Sequence, residues 1–361
     1  MTPAELDSAS AVLAGDGQPV VTVVIPTYNG AHHLSGCLDA LQQQEFTAHE
    51  VIVVDNGSTD GTLGLLLSYP RVRVIALDRN HGFAGAVNRG IEASGTPYIA
   101  LLNNDTIPDR SWLAELMAAM ECEPRPGSCA SKMVLMEPAG HIDTAGDGFT
   151  IAGFAYKHGW MEEESDYHDT AREVFGACAG AALYRLDALQ DAGLFDESFF
   201  AFEEDVDLAF RLQLAGYSCR YAPQARVLHK MRATAGRESD LSIYLCYRNL
   251  TMLLVKNLPA PLLVLYAPHI LLHAAGVLLR HSIKGRLPVV CRAYIDACKA
   301  LPRVFDMRRA VQRRRRVPLR RLRKLLDGNW PAVLWRLSST VRSIRKRWRN
   351  HGIDNRFNRH L

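Results

Sequence analysis

The sequence lacks three patterns that would identify common classes of protein. Its eight cysteines include no CxxC pair, and its first residues show neither the basic start nor the apolar stretch of a secretory signal. We therefore expect a cytosolic chain with reduced thiols. The glycines Gly82, Gly85 and Gly90 do not form the GxGxxG loop of dinucleotide enzymes, which disfavours a dehydrogenase of the Rossmann type.

Acidic residues are scarce only towards the C-terminus. From residue 301 onward the chain has 19 Lys or Arg against three acidic residues, a net charge of about +16, although the whole chain carries +4. The first 300 residues therefore carry about −12, and the basic character belongs to the tail. With 361 residues, 48% of them hydrophobic, the chain is long enough for one catalytic domain with a buried core plus an appendage.

Strand and helix segments alternate through the first hundred residues. Predicted strands lie at 20–25, 50–55, 71–77 and 98–103, and predicted helices at 31–44, 61–68 and 82–93. Connections this short favour right-handed βαβ units, so we expect an α/β fold with a mostly parallel central sheet flanked by helices, preceded by a flexible leader at 1–19. The later part suits acceptor binding, with a helix at 111–120, an irregular Gly-rich stretch at 140–159, a strand at 176–184, a helix from Glu203 and a strand at 218–221.

The first two predicted strands both end in polar residues. Pro26 ends the first strand because it lacks an N–H, and Thr27 and Tyr28 can then turn their amides and hydroxyls toward a base or ribose. Asp55 ends the second strand, where its carboxylate can accept a hydrogen bond from a nucleobase or a ribose hydroxyl. The alternative is an ordinary strand end, followed by a turn in which Ser58 or Asp60 caps a helix.

Two later segments offer further contacts for a nucleotide. Asn80 and Gly82 precede a helix with small residues, which either frees backbone amides for a phosphate or sugar or serves packing alone. Asn104 and Asp105 follow the fourth strand, where one carboxylate can hold Mg²⁺ or Mn²⁺ while a substrate diphosphate fills other ligand positions. A solvated turn before Pro108 is the alternative for Asp105.

Four carboxylates crowd the predicted start of an amphipathic helix, at Glu203, Glu204, Asp205 and Asp207. The helix dipole favours some of them. Their mutual repulsion indicates a further role, such as a base within hydrogen-bond reach of a hydroxyl group. His229 follows the next predicted strand and is either structural or a metal ligand.

In this order the segments resemble the large inverting glycosyltransferase family 2, which has the GT-A fold, and most closely its rhamnosyltransferase-like branch. The resemblance covers about residues 20–230 and rests on VVIPTYN, VDNGSTDGT, NHGFAGAVN, LLNNDT, FDESFFAFEEDVDLAFR and VLHK. It implies a nucleotide contacted by Thr27, Tyr28 and Asp55, a divalent metal at Asp105 and His229, the catalytic base Asp205, and Glu204 on the acceptor side. One departure is Asn103-Asn104-Asp105, where the family usually has Asp-X-Asp.

The resemblance also implies the reaction. Asp205 would remove the proton of an acceptor hydroxyl as that oxygen attacks the anomeric carbon of a nucleotide-diphosphate sugar, and the configuration would invert. The resemblance favours dTDP-rhamnose over a UDP- or GDP-sugar, with a lipid-linked or cell-surface glycan as acceptor. Two alternatives remain. One is a nucleotidyltransferase, although residues 27–30 lack the Lys or Arg expected in its loop after the first strand, and the other is a non-catalytic membrane-associated scaffold.

Residues 258–279 are almost wholly apolar but contain Pro259, Pro261 and Pro268. Their length permits a membrane span, whereas the prolines predict a broken or surface-lying element. Beyond them, Arg313–Arg316 and other basic residues alternate with the apolar residues Leu322, Leu325, Trp330, Trp335 and Trp348. For the region 236–361, after a catalytic domain at 20–235, we therefore favour docking on the anionic inner face of the cytoplasmic membrane over a span or a soluble helical cap. Without a recognition module, we expect no nucleic-acid partner.

Overall fold

The computed structural model describes residues 18–230 and 239–335. Most of the predicted leader, and the part of the basic tail that contains Trp348, lie outside the described residues. The strands are β1 (Val21–Thr27), β2 (His49–Asp55), β3 (Val72–Ala76), β4 (Tyr98–Leu102), β5 (Thr106–Pro108), β6 (Ser128–Leu135), β7 (His141–Thr144), β8 (Asp147–Thr150), β9 (Ala155–Lys157), β10 (Arg172–Val174), β11 (Ala181–Arg185), β12 (Cys219–His229) and β13 (Leu326–Asp327).

Helices cover both faces of the main sheet and form the C-terminal region. They are α1 (Ala31–Gln42), α2 (Thr62–Leu66), α3 (Gly82–Glu92), α4 (Trp112–Met120), α5 (Leu186–Ala192), α6 (Glu204–Ala215), α7 (Asp240–Asn257), α8 (Ala260–Ile283), α9 (Leu287–Arg313) and α10 (Leu319–Leu325). Short 3₁₀ turns lie at Asp166–Asp169 and Glu197–Phe199.

The main sheet is mixed, with ten strands among the described residues. Its path runs β10-β12-β6-β11-β4-β1-β2-β3, and the four strands from β4 to β3 are parallel, as expected. Strand β11 runs antiparallel to both β4 and β6. The runs 21–25 of β1 and 52–54 of β2 are buried because helices α1 and α4 cover one face of the sheet, while α3 and α5 cover the other.

Three segments differ from the sequence prediction. The Gly-rich stretch at 140–159 contains the short strands β7, β8 and β9 rather than irregular chain, and the predicted strand at 176–184 begins only at Ala181. Strand β12 continues to His229, so this histidine ends a strand instead of following one. The register shifts between Ala222 and Arg226, where Pro223 cannot donate to the ladder, and this bulge hid the continuity of the strand.

The apolar segment after residue 258 forms one unbroken helix, α8, so the prediction of a broken element was wrong. Pro259 is the N-cap residue and Pro261 lies in the first turn, where amides have no partner within the helix. Only Pro268 removes an interior hydrogen bond. The C-terminal helices share an apolar cluster with the rest of the chain, in which Phe199 and Phe210 pack with Leu253, Leu262 and Leu322.

Candidate active site

The carboxyl ends of β1, β2 and β4 bring the predicted nucleotide contacts to one edge of the sheet. Thr27, the residue after Pro26, pairs with Asp55 in the parallel register of β1 and β2. The Asn104 amide donates a hydrogen bond of 2.7 Å to the Thr27 hydroxyl. A side chain at Gly30 would overlap both of these groups, so only glycine allows the chain to turn into α1 so close to them.

Asp55 presents an unsatisfied carboxylate oxygen at this edge. The residue is buried, and its Oδ2 accepts from the Ser58 amide at 3.3 Å, while Oδ1 has no partner among the described residues. A buried acceptor without a partner is costly unless a ligand donates to it. Tyr28, by contrast, is 37% exposed and offers its ring at the mouth of the site.

Asp60, Asn80 and Gly82 have local structural partners. Asp60 accepts from the amides of Ala31 and Thr62, the first residues of α1 and α2, and so ties the two helices together, although Gly61 is the N-cap residue of α2. The Asn80 side-chain oxygen accepts from the Gly82 amide at 2.8 Å, so this amide already has a partner. Gly82 has a φ of +77° and lies against Phe200, where a side chain would overlap the Phe200 carbonyl.

Asp105 and His229 meet at the junction of β4, β5 and β12. His229 Nε2 lies 3.5 Å from Asp105 Oδ1, and its Nδ1 lies 2.9 Å from Asp143 Oδ2. Asp143 is buried and accepts two hydrogen bonds of 3.0 Å from Lys157. A carboxylate and an imidazole nitrogen this close can contact one divalent ion, and the Asp143 contact to the other ring nitrogen would orient the imidazole. The residues therefore fit the expected Mg²⁺ or Mn²⁺.

Electrostatics at this junction favour charged side chains. Burial by itself would lower the pKa of His229, but hydrogen bonds to Asp105 and Asp143 and their charges raise it to about 9. The pKa of Asp143 falls well below its usual range because the Lys157 charge and the His229 contact outweigh burial. A divalent ion would replace the proton on Nε2 and offset the same two carboxylates.

Asp205 lies in the first turn of α6 and faces the neighbouring strand end. Its Oδ2 accepts from the Ala179 amide at 3.2 Å, and its Oδ1 accepts from the Val206 amide at 2.8 Å. The next carbonyl, of Gly180, accepts from the Asn103 amide at 2.8 Å, two residues before Asp105. Asp205 thus contacts the residue next to Gly180, and Gly180 contacts Asn103, two residues before Asp105.

A second carboxylate stands beside Asp205. Ligand atoms of Asp147, Cys178 and Asp205 all lie within 4.8 Å of one another. Burial and the Asp205 charge raise the pKa of Asp147 to about 7, and burial raises the pKa of Asp205 despite its amide contacts and the Lys157 charge. The Lys157 ammonium already supplies a positive charge to this cluster, and burial raises the pKa of the Cys178 thiol. The cluster therefore suits proton transfer better than the binding of a cation.

The other acids at the start of α6 divide into two groups. Burial and the Asp205 charge raise the pKa of Glu203 to about 8 and that of Glu204 well above its usual range, and each has an oxygen without a partner among the described residues. Asp207 has a structural role, since Lys256 and Arg211 contact its carboxylate at 2.7 Å and 2.9 Å.

Helix α7 fixes the loop that precedes Asp205. The Asn249 amide donates to the carbonyls of Phe199, Ala201 and Phe202 at 2.8–2.9 Å. This loop is strained, because Phe200, Phe202 and Glu203 all have φ between 65° and 67°. Sequence reasoning missed Asn249, as well as Asp143, Asp147 and Lys157. No local pattern marks Asn249, because its role depends on contacts with residues about 50 positions away.

We expect Asn249→Ala to slow sugar transfer by roughly 10²-fold with little change in donor binding, because the loop would no longer hold Asp205 in place. Turnover and donor affinity measured separately would test this. Tyr244→Phe is the matched control, since it removes a 3.0 Å hydrogen bond from α7 to Asp296 without touching the loop. An equal loss in both variants would show that the effect comes from the stability of α7 instead.

Comparison with known proteins identifies the family that has this arrangement. Residues 22–193 match the family model described as glycosyl transferase family 2. Residues 22–193 therefore form a glycosyltransferase family 2 domain. The matched residues include the nucleotide edge, Asp105 and the β8–β9 hairpin, and they end before α6. The family recognised in the sequence is therefore confirmed.

Individual relatives agree with the family. The N-acetylglucosaminyl-diphospho-decaprenol L-rhamnosyltransferase of Mycobacterium tuberculosis is 29% identical over 243 residues, which span 61% of this chain and 78% of the relative. S. aureus TarS 1–349 in complex with UDP-GlcNAc is similar in structure, with a TM-score of 0.54 and 19% identity over 81% of this chain and 88% of that one.

A mannosyltransferase from Pyrobaculum calidifontis, PcManGT, solved in complex with GDP-Man and Mn²⁺, gives a TM-score of 0.50 at 19% identity, covering 81% of this chain and 85% of that one. At these identities the structural likeness shows the fold. The expected α/β GT-A architecture with a helical C-terminal region is confirmed.

Proposed function

We propose that this family 2 enzyme is an inverting glycosyltransferase that moves a sugar, with rhamnose favoured, from a nucleotide-diphosphate sugar to a hydroxyl group of a lipid-linked or cell-surface glycan. The observation that carries the proposal is Asp205. Two backbone amides orient its carboxylate, its pKa is raised, and its partner Ala179 precedes Gly180, whose carbonyl accepts from the amide of Asn103 near Asp105. A base with a raised pKa is well matched to a hydroxyl proton near neutral pH.

The proposed mechanism follows from the positions of these side chains. The donor base or ribose would satisfy the unpaired Oδ1 of Asp55, and the diphosphate would approach Asp105 and His229. A bound Mg²⁺ or Mn²⁺ would supply positive charge to the leaving diphosphate. Asp205 would accept the acceptor's proton as the acceptor oxygen attacks the anomeric carbon, and Glu204 beside it, whose pKa is raised by burial and the Asp205 charge, would lie on the acceptor side. Because the acceptor oxygen would attack the face of the sugar opposite to the departing nucleoside diphosphate, the anomeric configuration would invert.

Two findings support the choice of substrates. The relative from M. tuberculosis is named for transfer of L-rhamnose to a polyprenyl-linked acceptor, which favours dTDP-rhamnose and a lipid-linked acceptor here. The structures that resemble this chain contain UDP-GlcNAc or GDP-Man, so UDP- and GDP-sugars remain candidate donors. A lipid-linked acceptor would place the enzyme peripherally on the inner face of the cytoplasmic membrane.

A donor panel tests the proposed function. The protein is incubated with Mn²⁺ and dTDP-rhamnose, UDP-GlcNAc or GDP-mannose, with and without membrane extract as the source of acceptor, and nucleoside diphosphate release is measured. We expect release with one donor, faster with extract. No release with any donor would favour a non-catalytic scaffold, and pyrophosphate release from a nucleoside triphosphate would favour a nucleotidyltransferase.

A further inference from the structure

Helix α8 exposes a continuous apolar face. Its exposed large residues have side chains that are 51–81% exposed and lie at the spacing of one helix face: Val264, Leu265, Leu271, Leu272, Leu279 and Ile283. Residues 260–279 contain no Asp, Glu, Lys or Arg. An apolar surface of this extent in contact with water marks an interaction site.

The opposite face of α8 holds it against the body of the protein. Leu262 and Tyr266 join the apolar cluster under α6 and α7, and Val277 packs with Ile243 and Val290. The His281 ring is buried and lies 3.1 Å from the Tyr247 hydroxyl. Among the described residues, α8 is the helix long and apolar enough to cross a membrane, with a mean hydropathy of 2.0. Because one side is packed along its length, α8 is suited to lie on a bilayer rather than to cross it.

We propose that the exposed face of α8 lies in the interface of an anionic bilayer, with the helix parallel to the membrane plane. Charge favours lipid over a second copy of this chain. Residues 280–292, directly after the apolar face, contain Arg280, Lys284, Arg286 and Arg292 and no acidic residue, and the acids nearest to them in space, Asp240 and Asp296, lie 3.7 Å from Arg286 and Arg292. A symmetric dimer with parallel α8 helices would bring these like charges together, whereas anionic lipid headgroups complement both the apolar face and its basic end.

This surface is connected to the acceptor side of the active site. The Phe154 ring lies 4.6 Å from the ring of His273 on α8, and Gly153 lies against Ile270. Phe154 belongs to the β8–β9 hairpin, which carries Asp147 and Lys157 beside Asp205. Docking of α8 would therefore hold the β8–β9 hairpin next to the lipid surface. This position would also deliver a lipid-linked acceptor to the site, and only that last step rests on the proposed function.

Vesicle flotation of the full chain tests the docking surface. Vesicles contain phosphatidylcholine alone or with phosphatidylglycerol, at physiological salt, where the Debye length is about 8 Å. We expect the protein to float with the anionic vesicles and the double variant Leu271→Asp/Leu272→Asp to bind them at least ~10-fold more weakly, because two charges would enter the interface. The matched control is Leu63→Asp/Leu67→Asp, which changes two exposed leucines, one on α2 and one directly after it, and should leave binding unchanged.

Three results would overturn the proposal: no flotation of the unchanged protein, equal binding by the α8 variant, or a dimer in solution that this variant converts to monomers. Nucleoside diphosphate release from a soluble donor, measured on the same samples, separates docking from catalysis. Release that persists while flotation is lost supports the docking role. If no donor gives release, the proposed function fails, and the flotation result still decides the role of α8.

Discussion

Asp205→Asn should lower the rate of sugar transfer by roughly 10²- to 10⁴-fold while donor binding survives. The amide side chain keeps the shape of the carboxylate, but it cannot accept a proton from the acceptor hydroxyl. The proposed donor contacts are Thr27, Asp55 and Asp105, and none of them contacts Asp205 through a hydrogen bond among the described residues. Transfer measured at saturating donor, with donor affinity determined separately by titration, would resolve the two effects.

An exposed acid provides the control for this substitution. Asp187 on α5 has a side chain that is 71% exposed, and Asp187→Asn makes the same chemical change far from the base. A rate in Asp205→Asn comparable to that of this control would remove Asp205 from the proposed role. The pH dependence gives an independent check, because burial raises the pKa of Asp205 and raises that of neighbouring Asp147 to about 7. Transfer requires the unprotonated base, so its rate should rise as pH increases through the neutral range.

The nucleotide edge could be predicted from the sequence because its residues end strands that are adjacent in a parallel sheet. Thr27 and Asp55 each follow a β-branched run, and in such a sheet the carboxyl ends of neighbouring strands meet at one edge. Asp105 follows β4, the neighbour of β1 on its other side. These residues carry both a local pattern and a topological rule that brings them together.

The remaining groups have no comparable local signal. Asp143, Asp147 and Lys157 lie on strands of three or four residues, which are too short to show a period. Asp143 was hidden for a second reason: it acts through His229, 86 positions away, so only the folded chain relates the two. Similarly, Pro268 in α8 was expected to interrupt a helix, whereas packing against α7 and α9 maintains it.

Asp105→Ala should weaken donor binding by roughly 10- to 100-fold in the presence of Mn²⁺. Asp105 is the only carboxylate in Asn103-Asn104-Asp105. Its removal would therefore leave His229 as the remaining ligand for the ion, without the carboxylate beside its Nε2. Without Mn²⁺ the same substitution should strengthen donor binding instead, because the variant no longer places a negative charge beside the donor diphosphate. Titration of the preferred donor with Mn²⁺ and with a chelator, in both proteins, would reveal this reversal.

The reversal distinguishes metal binding from a general loss of structure, since a damaged fold would weaken donor binding under both conditions. Asp109→Asn supplies the control, because Asp109 lies four residues away with a side chain that is 43% exposed. His229→Gln should reproduce the Mn²⁺-dependent loss if the two residues hold one ion. Equal donor affinities of Asp105→Ala and the unchanged protein in Mn²⁺ would mean that Asp105 serves only to orient His229, and the diphosphate charge would then have to be offset by basic side chains instead.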